Sequence, residues 1–220
     1  KTIIGHSINS VFGYVADGLF TSQKELDDHA GQVGKGLGRI RFKDLNGDKV
    51  INDKDRDYIS SGIPDFSYGL NVSLRYRSFD LSFFLQGVQG LEVYNNYKTY
   101  TDFSSIWPGT NWGARTLDAW SPQHSGSSIP ALSLVDRNNE GRTSSYFIEN
   151  GSYLKLRNIQ LGYDLKSLLR NSRIKNVRVF VQGSNLFTIK SKAYTAADPE
   201  QPNYAYPIPA MGTIGVNLSL

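Results

Sequence analysis

The sequence predicts an all-β fold, specifically the strands of an antiparallel transmembrane β-barrel with long extracellular loops. Two observations support this prediction. Apolar and polar side chains alternate over several segments from residue 66 onward, and very short connections between these segments alternate with very long ones. We therefore assign residues 66–220 to barrel strands with extracellular loops at 90–151 and 188–212, and residues 1–65 to an extracellular loop region.

The clearest predicted strand runs from Phe66 to Tyr76, where a bulky side chain occupies almost every second position. Successive side chains point to opposite faces of a strand, so this pattern suits a strand that lies between lipid and water. A half-buried sheet of a soluble protein also alternates, and periodicity alone leaves both classes open. Further strands are predicted to begin at Phe79, Ser152, Asn176 and Thr213.

The lengths of the connections between the predicted strands favour a barrel over the sheet of a soluble protein. Only Arg77 and Ser78 join the first two predicted strands, whereas residues 90–151 form the next connection. Outer-membrane barrels have short periplasmic turns and long extracellular loops, and the connections of this chain can be divided in that way. The connection over residues 164–175 is long for a periplasmic turn, and it indicates either a helical turn on the membrane rim or a displaced strand boundary. Its apolar residues are Leu165, Leu168 and Leu169.

Composition excludes several other classes of protein. The chain has no Cys, so disulfides, thiolate nucleophiles and Cys-ligated zinc are excluded. No run of ~20 apolar residues predicts a helical membrane span. The net charge of +4 is spread thinly, and its basic cluster over residues 166–178 lacks the interleaved aromatic residues of a nucleic-acid site. We expect no nucleic-acid partner.

Five or six strands are too few to close a barrel. Single-chain bacterial barrels begin at about eight strands, and an open edge in lipid would leave backbone groups without hydrogen-bond partners. We therefore expect the remaining strands in upstream sequence or in other subunits. The first residues also lack the pattern of a signal peptide, which indicates either a processed protein or the C-terminal part of a longer one.

Residues 44–55 have the ligand spacing of an EF-hand or dockerin calcium loop. A hard cation of this kind needs six to eight oxygen ligands from a tightly curled backbone. Lys49 replaces the glycine that usually makes the sharp turn, and Asp55 is shorter than the usual bidentate Glu. A weak structural Ca²⁺ site and a polar turn without metal both remain open. The predicted ligands are Asp44, Asn46, Asp48, the carbonyl of Val50, Asn52 and Asp55.

The first long loop contains all three tryptophans of the chain. Sugars stack on aromatic rings while polar side chains bind their hydroxyl groups, so Trp near Asn, Arg and Asp predicts a carbohydrate or partner surface. Internal packing of a large loop explains the tryptophans as well. The candidate substrate- or partner-binding residues are Trp107, Asn111, Trp112, Arg115, Asp118 and Trp120.

Two further patterns bear on local structure and on catalysis. Ser22 and Glu25 form a capping-box pattern, which predicts a short helix over residues 25–29. The three histidines are scattered, and no nucleophile elbow or zinc-protease motif occurs, so we do not predict an enzyme. Asp and Glu are plentiful, but the sequence does not place any two across a glycosidic bond.

Seven segments, taken together and in order, resemble the C-terminal part of the SusC/RagA-type TonB-linked outer-membrane transporters. The resemblance covers essentially the whole chain, and the order of the segments makes it specific. One departure is Leu220, where such barrels commonly end in an aromatic residue. The segments are Phe12–Phe20, Asp44–Asp55, Pro64–Leu70, Phe84–Gly90, Gly151–Asn158, Val181–Phe187 and Gly215–Leu220.

This resemblance implies a plugged barrel of twenty-two strands in the outer membrane of a Gram-negative bacterium. It also implies a SusD-like surface lipoprotein over the barrel mouth, and import of oligosaccharides or peptides with energy delivered by TonB. The plug, the TonB box and most strands would then lie upstream. Oligosaccharide import is the expectation, with peptide import and a secreted, calcium-stabilised β-sandwich that binds glycans as alternatives. A surface glycan hydrolase has only unspecific carboxylates in its favour.

Overall fold

The computed structural model describes residues 4–166, 176–203 and 206–219. Its two short α-helices are α1 (Gln23–Asp28) and α2 (Lys98–Thr101). Short 3-10 helices cover Asp53–Asp55, Ala114–Asp118 and Ser145–Phe147. The strands are β1 (Val11–Tyr14), β2 (Ala16–Leu19), β3 (Ile40–Phe42), β4 (Arg56–Ser60), β5 (Phe66–Tyr76), β6 (Phe79–Gln89), β7 (Glu92–Tyr94), β8 (Ile148–Asn150), β9 (Tyr153–Asp164), β10 (Asn176–Lys190) and β11 (Met211–Ser219).

Five long strands form one antiparallel sheet in the spatial order β11, β10, β9, β6, β5. The predicted strands that begin at Phe66, Phe79 and Asn176 agree with the starts of β5, β6 and β10. The other two starts are displaced slightly, because β9 begins at Tyr153 and β11 begins at Met211. Leu168 and Leu169 of the predicted rim helix, and the terminal Leu220, lie outside the described residues.

The strand register divides the sheet into an apolar face and a polar face. On the apolar face, one row across all five strands contains only aliphatic side chains, and a neighbouring row is mostly aromatic. The aliphatic row is Leu74, Leu81, Leu161, Val181 and Ile214. The row beside the β5–β6 turn is Tyr76, Phe79, Tyr163, Val179 and Val216.

The polar face contains the residues that the sequence places opposite the apolar ones. A representative row across β6, β9, β10 and β11 has hydroxyl and amide side chains throughout: Ser82, Gln160, Gln182 and Thr213. Large apolar residues on the opposite face are strongly exposed, including Leu74 and Ile214. Exposed apolar rows on this scale indicate a surface that meets a non-aqueous environment.

A β-bulge reverses the parity of the apolar pattern in β9. Arg157 has no register partner in β6, and Asn185 and Leu186 have none in β9, where Asn185 adopts a left-handed φ of 52°. An extra residue shifts the alternation by one position. Ile159 and Leu156 therefore lie on the same face although one is odd-numbered and the other even-numbered.

The remaining elements form a compact unit beside one end of the sheet. We call residues 4–65 and 90–151 together the loop unit. Its core draws on both segments, because aromatic residues of the long connection pack against β2, β3 and Ile51. The buried core residues are Leu19, Ile40, Phe42, Ile51, Phe103, Trp120 and Phe147. The two predicted loop regions are thus one packed structure.

Buried polar side chains hold β3 inside the loop unit. Gln32 donates to the carbonyl of Ile40 at 2.7 Å and accepts from the N–H of Phe42 at 3.0 Å. Asn138, from the other segment, donates to the same Ile40 carbonyl at 3.0 Å, and Glu140 accepts from the Ile40 N–H at 3.1 Å. Backbone groups of a buried strand need such partners, and two of these side chains, Asn138 and Glu140, are about a hundred positions away in the sequence.

Helix α1 forms at the predicted capping box. Ser22 is its N-cap and accepts from the N–H of Glu25, while the Glu25 carboxylate accepts from the N–H of Thr21 at 2.7 Å. The helix spans Gln23–Asp28, slightly upstream of the predicted 25–29, because the cap fixes its first turn. No helix in the described part of the chain is long and apolar enough to cross a membrane.

Candidate functional site

The polar face of the sheet has ion pairs and amide groups rather than a hydrophobic surface. Arg178 of β10 donates to Asp80 of β6 at 2.8 Å, across the intervening strand β9. Several polar side chains share this face. By register they include Asn71, Ser73, Arg75, Asp80, Gln86 and Gln182.

A buried ionic cluster fastens the second long connection to the sheet. The ammonium of Lys155 is only 2% exposed and donates to both carboxylate oxygens of Asp198, at 2.7 and 2.8 Å. Glu200 accepts from Lys155, Arg157 and the hydroxyl of Tyr153. We call these five residues the ionic cluster. Such a cluster is stable only while all of its charges stay paired.

The electrostatics of the ionic cluster favour the charged form of Glu200. Burial opposes ionisation of this carboxyl group, but hydrogen bonds from Arg157, Lys155 and Tyr153 outweigh burial and lower its pKa to about 2. At neutral pH the carboxylate is therefore fully ionised. Because Asp198 and Glu200 belong to the connection while their partners belong to β9, the cluster positions the connection over the polar face.

A second set of hydrogen bonds joins the two long connections to each other. Glu149 accepts from the N–H and the hydroxyl of Thr195, both at 2.8 Å, and from Asn95 at 2.7 Å. Lys98 forms an ion pair with Glu149 at 3.3 Å, and both side chains are buried. Burial opposes ionisation of Glu149, but these hydrogen bonds and Lys98 outweigh it and lower its pKa. The two long connections therefore pack against each other.

The predicted calcium loop folds into a tight, hydrogen-bonded turn. Lys49 has a left-handed φ of 64° at the position where an EF-hand loop has glycine. The Asp44 carboxylate accepts from the N–H groups of Gly47 and Lys49, both at 2.8 Å. Asp55 is fully buried and accepts from the N–H of Leu45 at 3.0 Å and of Asn52 at 2.8 Å. The backbone therefore curls as the motif requires.

The oxygen donors of this loop suit a hard cation, but their side chains do not converge on one point. Desolvation opposes ionisation of Asp44, but hydrogen bonds from the N–H groups of Lys49 and Gly47 outweigh it and lower the pKa of Asp44. Asp48 instead accepts from the N–H of Val50 and from the side chain of Asn46. Among the described residues, no three His, Cys, Asp or Glu side chains converge as metal ligands. The donor set is nevertheless all oxygen, which suits Ca²⁺.

The structure separates the six aromatic and polar residues predicted to bind substrate or partner. Trp120 is 7% exposed and belongs to the core of the loop unit, so internal packing explains it. Trp107 is 44% exposed and stacks on Tyr100 with ring centroids 5.0 Å apart. Trp112 is half-buried, whereas Asn111 and Asp118 are exposed. The tryptophans therefore do not form one continuous sugar-binding surface.

Arg115 lies in a cavity of about 460 Å³ between the two long connections. Lys192, Tyr194 and Thr195 line the opposite wall. Lys192 and the ionic cluster were not predicted from the sequence as site residues. The signal for Asp198 and Glu200 was weak, because two acids flanking a proline in a long loop are common without any partner.

Comparison with known proteins gives sequence relatives and structural neighbours, but no protein-family profile matches the chain. TonB-dependent receptor P3 of Formosa agariphila is 33% identical over 198 residues, which is 89% of this chain and 19% of the relative. TonB-dependent receptor SusC of Bacteroides thetaiotaomicron is 30% identical over 212 residues, which is 94% of this chain and 20% of SusC. The chain spans about a fifth of the length of these relatives.

Solved structures with the same fold include those of RagAB. One, described as the structure of the RagAB peptide transporter, superposes with a TM-score of 0.72 at 21% identity and covers 96% of this chain and 22% of that one. The RagAB peptide importer in its open-open state gives a TM-score of 0.71 at 19% identity, with coverage of 100% and 25%. At these identities the likeness concerns the fold.

The two-faced antiparallel sheet, the long packed connections and the relatives agree on one class of protein. The predicted transmembrane barrel fold is confirmed, and the β-sandwich alternative is not favoured. The relatives are receptors or transporters by name, not enzymes. The chain belongs to the SusC/RagA-type TonB-dependent receptors of the outer membrane, and it is one part of such a barrel.

Proposed function

We propose that this chain is the C-terminal part of a transporter that imports oligosaccharides across the outer membrane of a Gram-negative bacterium. The observation that carries the proposal is the two-faced sheet, whose apolar rows would meet lipid while its polar face lines a hydrated passage. No covalent chemistry is needed at these residues. These residues would bind the solute and line its path.

The partners follow from the family and from the position of the loop unit. A SusD-like surface lipoprotein would cover the barrel mouth and contact the loop unit, and TonB would deliver energy through sequence outside this chain. The SusC relative supports a two-component system of this kind, as do the RagAB structures. The plug, the TonB box and the other strands would belong to the same full-length protein.

Oligosaccharide import is favoured over peptide import by the exposed, stacked Trp107, which offers a ring face to a sugar. Peptide import is the second candidate, and the solved RagAB structures, which are described as peptide transporters, favour it. Both candidates use the same passage. They differ in the solute that the loops select.

We also propose that residues 44–55 bind one Ca²⁺ ion with a structural role outside the cell. The ligands would be Asp44, Asn46, Asp48, the carbonyl of Val50, Asn52 and Asp55. The left-handed turn at Lys49 and the backbone N–H groups that curl around the Asp44 carboxylate support this assignment. A bound ion would fix the loop that precedes β4 and thereby the packing of the loop unit. It would take no part in transport chemistry.

Solute uptake by cells tests the proposed function. A strain that lacks the full-length gene is complemented with the wild-type gene or with a gene whose TonB box is deleted, and growth is measured on oligosaccharides and on peptides as sole carbon source. We expect growth on at least one oligosaccharide to need the intact gene. Growth that depends on the gene only for peptides would contradict the oligosaccharide proposal and support the second candidate. Growth independent of the gene on every solute would contradict import.

A further inference from the structure

The cavity between the two long connections is lined by two positively charged side chains. Its volume is about 460 Å³, within the range of about 300–1,000 Å³ that is usual for ligand pockets. One wall comes from residues 97–115 and the other from residues 192–197. Two cationic side chains, Arg115 and Lys192, stand on opposite walls, and no Asp or Glu lines this space among the described residues.

A buried carboxylate holds the Arg115 guanidinium in place. It donates to Asp102 at 3.0 Å, and the Asp102 side chain is fully buried. Asp102 also accepts from the hydroxyls of Tyr146 at 2.6 Å and Thr101 at 3.0 Å. A guanidinium has five N–H donors, and within the described residues only one of those of Arg115 is used. The others remain available to a ligand that enters the cavity.

Lys192 provides a second positive charge without a partner. Its side chain is exposed, and no carboxylate of the described residues lies within 4.0 Å of its ammonium. The wall that carries it is nevertheless fixed, because the buried Tyr194 donates to the carbonyl of Asp198 at 2.9 Å and Thr195 is bound by Glu149. A cavity wall that is already ordered loses less conformational entropy when a ligand binds than a mobile one does.

The rest of the lining suits a flat, partly apolar molecule. Gly113, Ala114, Ala196 and Ala197 have small side chains that leave space, and Tyr97 contributes an aromatic ring. Arginine recognises planar carboxylates through paired N–H donors, while lysine acts as a point charge. A carboxylate attached to a ring or to a planar backbone matches this combination of groups.

We propose that this cavity binds a carboxylate group of the imported solute, gripped between Arg115 and Lys192. The inference deepens the proposed import function and rests on it. A carboxylate can come from a uronic acid unit of an oligosaccharide or from an acidic peptide. The cavity would therefore select acidic solutes over neutral ones of the same size.

Calorimetry on the purified full-length transporter in detergent tests this inference with three probes. The probes are a uronic acid oligosaccharide, the neutral oligosaccharide of the same length, and an acidic peptide. We expect a carboxylate-bearing probe to bind the wild type, with affinity reduced about tenfold by Lys192→Gln and reduced further by Lys192→Glu. The matched control Lys166→Gln removes an exposed lysine at the other end of β9 and should leave binding unchanged.

The outcomes separate this inference from the proposed function. If the neutral and the acidic oligosaccharide bind equally and Lys192→Gln changes neither, the carboxylate site is wrong while oligosaccharide import stands. If only the acidic peptide binds, and binding depends on Lys192, the site is supported and the oligosaccharide proposal is wrong. If no probe binds, or if Lys166→Gln weakens binding as much as Lys192→Gln, the cavity has no specific role and the inference fails.

Discussion

Asp80 and Arg178 form an ion pair directly over Gly162, which lies between them on the intervening strand. A Cβ atom on Gly162 would lie 2.5 Å from the Asp80 carboxylate and 2.3 Å from the Arg178 guanidinium. Such a Cβ would meet only the ends of these two flexible side chains, so the ion pair would have to shift to admit it. The ion pair thus ties three strands together at one point.

Replacing Gly162 with Ala should break this pair and destabilise the barrel. We expect a loss of about 1–3 kcal/mol, because the charged groups must separate on a partly buried face. Thermal unfolding of the full-length protein in detergent measures the change. Gly126→Ala is the matched control, since a Cβ there meets nothing within 4 Å. Equal melting temperatures for the two variants would show that the pair does not depend on Gly162.

Arginine substitutions should impair membrane insertion on the apolar face and be tolerated on the polar face. Ile159 lies in the middle rows of the apolar face, so Ile159→Arg should cost about 2–4 kcal/mol of insertion, whereas Gln160→Arg on the polar face should be tolerated. Val179 lies in the aromatic row beside the turn, so Val179→Arg should cost only about 0–1 kcal/mol. The amount of folded protein in outer-membrane fractions measures each effect. Similar amounts for all three variants would contradict a lipid-facing apolar surface.

Calcium should bind weakly to residues 44–55, with a dissociation constant on the order of 10⁻⁴ to 10⁻³ M. Combining Asp44→Ala with Asp48→Ala should abolish binding, and Lys49→Gly should strengthen it, because a non-glycine residue at a φ of 64° costs about 1 kcal/mol. Isothermal calorimetry with CaCl₂ makes the measurement. Asp57→Ala, an exposed acid outside the loop, is the control. Identical calorimetric traces for the wild type and the double variant would contradict the proposed calcium site.

Acid should release the second long connection from the sheet. The pKa of Glu200 is about 2 in the folded protein and about 4.3 for an unperturbed Glu, so its stabilising contribution is complete above about pH 4.3 and is lost as the pH falls towards 2. A fluorophore on Ala197→Cys, in a chain without other cysteines, reports the mobility of the connection through anisotropy. Glu200→Gln should remove most of the change in this range. A constant anisotropy in the wild type would contradict this role of Glu200.

The two tryptophans of the loop unit should respond differently to truncation. Trp120→Ala removes a buried ring from the core and should cost about 3–5 kcal/mol of loop-unit stability. Trp107→Ala removes an exposed, stacked ring and should change stability by less than about 1.5 kcal/mol. Protease resistance of the loops gives the stability, and calorimetry with oligosaccharides gives binding. A loss of oligosaccharide binding in Trp107→Ala but not in Trp120→Ala would support a role for the Trp107 ring in sugar binding.

The alternation of side chains made the long strands predictable. A strand between lipid and water must present a different chemistry on each face, and this requirement is visible in every window of the sequence from Phe66 to Tyr76. The bulge at Arg157 was not predicted, because one inserted residue changes the parity without changing the composition. The strand positions were therefore better predicted than the faces of β9.

By itself, the sequence determined the class of fold, the positions of the long strands, the capping box of α1 and the spacing of the acidic loop. Each of these depends on residues that are neighbours along the chain. Only the tertiary structure decided that Trp120 is a core residue, that Lys155 meets Asp198, and that Arg115 faces Lys192 across a cavity. These arrangements join residues far apart in sequence, and they exist only because the two long connections pack against each other and against the sheet.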